Sequence, residues 1–442
     1  MELDAKPSRW PQWWITLWAS SAAFSAYFCM YAFRKPFAAA SFSGLHFAGT
    51  DFGLKSALVI SQVIGYAISK FIGIKVCSEI SASKRALALV GLIAVAELAL
   101  VLFGAAPPSW RVVAIFLNGL PLGMVWGMVV AYLEGRRTSE FLLATLSCSF
   151  IVSSGVVKDV GRWTMSSWNV GEAWMPCVTG LLFLPAFLLS VAFLAALPAP
   201  DPSDVKARTQ RRPMRAGRIA FVKRFALGLG LLLAFYLVLT AFRDYRDNFE
   251  IDLFKAMGYG SEPGIFSKTE TPVAFVVLAM LGALSLVRDN RRGLAGAFVV
   301  MLAGMVLVGV ATLLYDGGLI SGIFWMILLG AGSYLAYVPV GSMLFDRLIA
   351  HTRSGGTAVF AIYLADATGY AGSVGVLLFK ELGRPSQTPL IFFRGLSYFL
   401  CVFGGAALAA AAVYFVTRPA EAASGTASGG EPLAETGAAA HG

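Results

Sequence analysis

The chain has 442 residues, 57% of them hydrophobic and only 14% charged, with a formal net charge of +10 and a mean hydropathy of +0.72. Soluble domains carry about a quarter charged residues, so the composition excludes an ordinary soluble enzyme or binding module and marks an integral membrane protein. The positive balance does not point to nucleic acid, because the basic residues fall in short connections between apolar segments instead of on one soluble face.

Apolar stretches of about 20 residues, each enough to cross ~30 Å of hydrocarbon as a helix, recur along nearly the whole length. Helices are the expected spanning element, since lipid leaves no partner for unpaired backbone groups and the alternation of a β-barrel is absent. With breaks at Pro, Gly and charge clusters, hydropathy predicts helices over about 13–38, 53–76, 85–105, 111–133, 140–162 and 174–198. A second set is expected over about 222–246, 265–287, 293–315, 321–346, 355–380 and 391–416. The predicted fold is therefore all-α, twelve transmembrane helices in two six-helix bundles, residues 1–198 and 222–416. The segment 199–221, Pro-rich and strongly basic, reads as a cytoplasmic linker, and the Ala/Gly/Ser-rich residues 417–442 as a disordered tail.

Basic residues cluster on the even-numbered connections: Lys84 and Arg85, Arg136 and Arg137, the linker, then Arg288, Arg291 and Arg292, then Arg347 and Arg353. The odd-numbered connections are poorer, apart from Arg246 and Lys255 after the seventh helix. The positive-inside rule then places both termini in the cytoplasm, in a bacterial-type inner membrane. The first apolar segment has no cleavage signal behind it and reads as a retained helix. The tryptophans at 10, 13, 14, 163, 168 and 174 read as interfacial anchors. Gly119, Gly123 and Gly127, at four-residue spacing, read as a close helix-packing stripe.

Shifting the chain by 209 residues lays Tyr27, Ala32, Phe33 and Arg34 over Tyr236, Ala241, Phe242 and Arg243, each near the end of the first helix of its set. Parallel six-helix halves related by an axis along the membrane normal are how the major facilitator fold is built. Arg34 and Arg243 would then face each other across that axis. An arginine at the bilayer centre costs at least ~2.5–3.5 kcal/mol, so such residues usually face a cavity or a partner. The plain alternative for Arg34 is snorkelling at the outer interface. For Arg243 it is a wet outer loop, since Asp244, Arg246 and Asp247 follow at once. Lys70 sits between apolar residues, which favours a cavity over lipid. Lys158, Glu270 and Asp366 are further intramembrane candidates: Lys158 fits a loop-side position equally well, and Glu270 and Asp366 read either as structural ion pairs or as coupling groups. If Arg34, Lys35, Lys70 and Arg243 line one cavity, an anion is the natural ligand, because guanidinium groups hold phosphate or carboxylate in bidentate fashion.

At these residues the sequence resembles the organophosphate:phosphate antiporter family of the major facilitator superfamily. The resemblance rests on Tyr27 and Tyr31-Ala32-Phe33-Arg34-Lys35-Pro36-Phe37-Ala38 in the first helix, Ser69-Lys70-Phe71 in the second, and the stretch from Asn118 in the fourth. Elements around Tyr334, Gly356-Thr357-Ala358 and Gly372-Ser373-Val374 in helices ten and eleven are also similar. The resemblance implies a phosphate group bound by Arg34 and Arg243 in a pocket lined by Tyr27, Tyr31, Lys35 and Lys70, with Glu270 as the acidic residue of helix eight. It also implies rocking of the two halves and exchange of an organic phosphate for inorganic phosphate.

The five cysteines show no CxxC or paired spacing, so neither a disulfide framework nor a zinc site is expected. The three histidines, His46, His351 and His441, are isolated, and no P-loop, HExxH or G-x-S-x-G motif occurs, so neither enzyme chemistry nor a metal or cofactor is expected. The expected partners are a small anionic solute and the lipid bilayer, and the expected state a monomer. Two rivals keep the same fold: a transporter-like sensor of such a ligand, and a symporter of a carboxylate or sugar acid.

Overall fold

The computed structural model describes residues 10–133, 136, 138–198, 222–287, 289–352, 358–383 and 387–417. The linker 199–221, the tail apart from Thr417, and Arg137, Arg288 and Arg353 lie outside the described residues. The first six long helices are α1 (Gln12–Met30), α2 (Leu54–Glu79), α3 (Arg85–Ala105), α4 (Arg111–Leu133), α5 (Ser139–Ser167) and α6 (Met175–Ala195). The other six are α7 (Ala226–Ala256), α8 (Ile265–Ser285), α9 (Asn290–Asp316), α10 (Gly322–Thr352, through a π turn at Val340–Leu344), α11 (Ala358–Gly383) and α12 (Pro389–Val416). Each set packs mainly within itself, and the sets meet along α5 against α8 and α2 against α11.

Among the described residues, ten of these helices are long and apolar enough to cross a membrane by length and composition, and α1 and α5 are not among them. α5 carries charged and hydroxyl side chains and packs on α8 across the seam between the halves, where another helix replaces lipid as solvent; α1 packs on α4, α5 and α6 of its own half. The surface is what a bilayer would wet: α3, α6, α9 and α12 turn Leu98, Leu189, Leu313 and Val402 outward. Exposed tryptophans mark the two ends, Trp10 and Trp13 at the start of α1 and Trp163 and Trp168 at the end of α5.

Of the boundaries that differ from the sequence expectation, two bear on the arginines of the site. The first helix stops at Met30 and continues as two short 3-10 turns, Tyr31–Phe33 and Pro36–Ala39. Pro36 has no N–H to donate and cannot extend an α-helix. The carbonyls this break releases need partners inside the membrane. Asn118 of α4 donates to Phe33 O at 2.9 Å and to Ala96 O at 3.0 Å, while Gln62 of α2 donates to Arg34 O at 3.0 Å. Arg34 thus sits at a capped break and not on a continuous helix.

The seventh helix runs ten residues past its expected end, to Ala256. Asp244, Arg246 and Asp247 do not form a wet loop; Arg246 is 1% exposed and Asp247 is buried with it. Arg246 and Lys255, the exceptions to the basic-residue bias, belong to this helix and leave the odd connection.

α2 and α4 are in backbone contact. An added Cβ on Gly119 would lie 2.6 Å from Gln62 O, and one on Gly123 2.6 Å from Tyr66 O. The small-residue stripe on α4 therefore sets the depth and position of Tyr66.

Candidate functional site: two arginines in a tyrosine cage

Arg34 stacks on Tyr66 with its guanidinium carbon 4.0 Å from the ring centroid. Tyr66 is at the middle of α2, so the charge lies near the middle of the bundle's length and away from the helix ends. Arg243 makes the corresponding contact with Tyr337, also at 4.0 Å, and Tyr337 is the midpoint of α10. Tyr31 lies within electrostatic reach of both guanidinium groups, and so joins the two sites. The cage is completed by Tyr27 against Tyr31 at 5.6 Å, Tyr66 against Tyr370 at 5.9 Å, and Tyr236 stacked on Tyr337 at 5.5 Å. Planar guanidinium on an aromatic face is held by cation–π attraction without consuming its N–H donors. The Nε groups of Arg34 and Arg243 are both buried without a hydrogen-bond partner.

The charges differ in what they already hold. Among the described residues Arg34 has no ion pair. Arg243 is paired with Asp244 at 2.7 Å, and Asp244 in turn accepts from Ser373 of α11 at 2.7 Å. Lys70 is paired across the seam with Asp366 of α11 at 2.6 Å, and the Tyr236 hydroxyl donates to the same carboxylate at 3.4 Å. Lys35 pairs with Asp247 of α7 and donates to Asn248 at 3.1 Å. Of the four cations expected to line one cavity, Lys35, Lys70 and Arg243 each hold a carboxylate, and Arg34 holds none among the described residues.

The remaining candidates separate. Lys158 is fully buried, 2.9 Å from Asp247 and 2.5 Å from Glu250, so a loop-side position is excluded by the extension of α5 to Ser167. Glu270 pairs with Arg246 at 2.6 Å, and Arg246 also donates to Met326 O at 2.9 Å. Asp366 belongs to Lys70. Sequence reasoning missed the acidic partners Asp244, Asp247 and Glu250. Asp247 and Glu250 share the i, i+4, i+7 spacing of one helical face with Arg243, and Asp244 stands beside that face.

Beyond the cage, one end of the bundle is bridged between the halves; we refer to it as the distal end, opposite the start of α1. Lys55 of α2 meets Asp252 of α7 at 2.7 Å, Lys255 donates to Ser41 at 2.7 Å, and Ser56 donates to Glu381 of α11 at 2.6 Å. Arg162 of α5 donates to Gly260 O at 2.5 Å. An apolar groove of about 580 Å³, lined by Phe47, Phe52, Ile60, Ile64, Leu378 and Leu382, opens beside α2 and α11 at this end and contains none of the cations above.

This architecture is the major facilitator fold. Solved structures similar over nearly the whole chain include the nucleoside transporter NupG (14% identity, TM-score 0.59, covering 89% of this chain and 98% of that one). A D-xylose-proton symporter is also similar (15% identity, TM-score 0.58, 92% and 98% covered). So is a bacterial homologue of the human drug peptide transporters PepT1 and PepT2 (16% identity, TM-score 0.57, 91% and 97% covered). By sequence, the chain belongs to the family of unknown function DUF5690, which matches residues 36–418. No curated protein matches it.

Proposed function

We propose that this protein is a secondary active transporter of a small organic anion, a phosphate ester exchanged for inorganic phosphate, bound between Arg34 and Arg243 at mid-depth. The observation that carries the reading is Arg34: a guanidinium stacked on Tyr66, with no carboxylate partner among the described residues and an unused buried Nε. A lone buried cation costs several kcal/mol unless a counter-charge arrives, and an anion supplies it. Tyr27, Tyr31, Lys35 and Lys70 shape and tune the pocket; Lys158, Glu270 and Asp366 serve through their ion pairs. The two six-helix halves, residues 1–198 and 222–416, would rock about this point, as a monomer in a bacterial inner membrane with both termini cytoplasmic. Solved proteins of this fold carry a nucleoside, peptides or D-xylose by their names, so the fold accommodates small polar solutes.

A second reading has its own support. Because Arg243 already holds Asp244, the cage carries one net positive charge, which a carboxylate or sugar acid satisfies without displacing Asp244. A thermal-shift titration with glycerol phosphate, inorganic phosphate and gluconate separates the two. Under the first reading the phosphates raise the melting temperature, the shift falls at least tenfold in potency in Arg34→Ala and in Arg243→Ala, and labelled ester enters proteoliposomes loaded with phosphate. Stabilisation by phosphates that survives both changes removes this site, and binding without uptake makes the protein a sensor.

A further inference from the structure

The buried ion cluster at the distal side of the cage is larger than anion binding requires. Lys158 of α5 places its Nζ 2.5 Å from Glu250 Oε2, 2.9 Å from Asp247 Oδ1 and 3.3 Å from Asp247 O. Ser154 of α5 donates to Asp247 at 2.5 Å, and Lys35, from the turn after α1, pairs with the other oxygen of Asp247. Both ammonium groups come from the first half and both carboxylates from the second. Opening the distal end would pull them apart and strand two positive charges on one side and two negative charges on the other.

The two carboxylates are not equally placed to survive this. Asp247 borders the cage, within reach of Tyr31 and Tyr334. Glu250 is 0% exposed, and Lys158 is its one ion-pair partner among the described residues. Its other oxygen accepts from the Thr269 hydroxyl of α8 at 3.3 Å. Around it on α7 are Arg246 and Asp247, and on α8 Glu270, which already holds Arg246 at 2.6 Å. Farther along α5, Asp159 accepts from Ser267 N at 2.7 Å and Arg162 is bound to Gly260 O, while Lys55 and Asp252 satisfy each other. With Lys158 withdrawn, the one cation left within electrostatic reach of Glu250 among the described residues is Arg246, which already holds Glu270, and that second carboxylate stands one helix away. A buried ion without a partner is not sustained in such a site. A proton is the charge that can replace the ammonium.

We propose that Glu250 is a proton-binding site whose occupancy controls opening of the distal end, so that the transport cycle is proton-linked. The inference rests on the transporter reading but not on the identity of its anion. A proton from water on the distal side binds Glu250 Oε2 as Lys158 leaves; when the halves close again, the ammonium displaces that proton past Asp247 toward the cage. One proton moves per cycle, with no bond to carbon or phosphorus made or broken.

The experiment uses the full-length protein in nanodiscs, its native cysteines replaced, with spin labels at Ser43 and Ser261, exposed loop positions on opposite halves of the distal end. Pulsed electron–electron distance measurements between pH 8 and pH 5 should show the separated population growing with acid, by up to tenfold in the open-to-closed ratio per pH unit for one proton. In Glu250→Gln the distribution should no longer respond to pH. If that variant fails to assemble, Lys158→Met combined with Glu250→Gln removes the pair as a unit and carries the same expectation. Arg34→Ala should keep the pH response while losing anion binding, and His46→Gln should keep it as well. A pH response undiminished without Glu250, lost in His46→Gln, or absent from the unsubstituted protein overturns the proposal. A response that persists where no phosphate or carboxylate binds would strike the anion reading alone.

Discussion

Arg246 and Glu270 are each 1% exposed and bonded to one another at 2.6 Å, in a region where neither can reach water. The pair is internal to α7 and α8, so it survives any movement between the halves and acts as a fixed clamp. Removing one partner strands the other: Arg246→Met should destabilise the protein by about 3–5 kcal/mol, whereas Arg246→Met with Glu270→Leu should recover most of the loss. Unfolding midpoints in detergent, followed by tryptophan fluorescence, check this. Residues of this kind differ in how readable they are in the chain. Arg34 and Arg243 stand out because apolar neighbours make a cation conspicuous and because the echo at 209 residues pairs them. Asp247 and Glu250 do not, because a dense run of charges after an apolar segment looks the same whether it leaves the membrane or folds back against a lysine from another helix. The partners Lys158 and Lys35 turn that run into a buried face, and they lie about 90 and about 210 residues upstream.

At the scale of elements, α2 and α4 approach until backbone meets side-chain position. Gly119→Ala would put a methyl group 2.6 Å from Gln62 O, an atom that cannot move without moving the helix. It should cost about 1–3 kcal/mol and weaken anion binding as well, because the displaced segment carries Tyr66. Gly91→Ala on α3 meets nothing within 4 Å and should be neutral or stabilising by up to about 1 kcal/mol. Melting temperatures of the two variants, with and without glycerol phosphate, make the comparison. The four-residue glycine spacing is visible in the sequence and its packing role follows from it. The end of α1 is harder to read, since Tyr31 to Phe33 look as apolar as the helix before them; the break depends on Pro36 together with Asn118 and Gln62, whose caps come from two other helices.

Across the whole molecule, the bridges at the distal end add to the contacts of α5 with α8 and of α2 with α11 in joining the two halves. Holding that end shut should stop the cycle. Lys55→Cys with Asp252→Cys, in protein whose five native cysteines are replaced, can be spanned by a short bifunctional thiol reagent. Uptake into proteoliposomes should fall to background after treatment, and a reagent with a reducible spacer should restore it on reduction. The helix count and the pairing of halves follow from hydropathy and the repeat, because lipid imposes the same length on every span; which end is bridged depends on contacts between residues hundreds of positions apart. The solitary charge of Arg34 carries an electrical meaning too. Each elementary charge that shifts fully through the field is worth about 2.3 kcal/mol per 100 mV. On the proposed anion reading, the empty cage carries one positive charge that a bound monovalent anion would cancel, so membrane voltage should act on the empty form more strongly than on the occupied one.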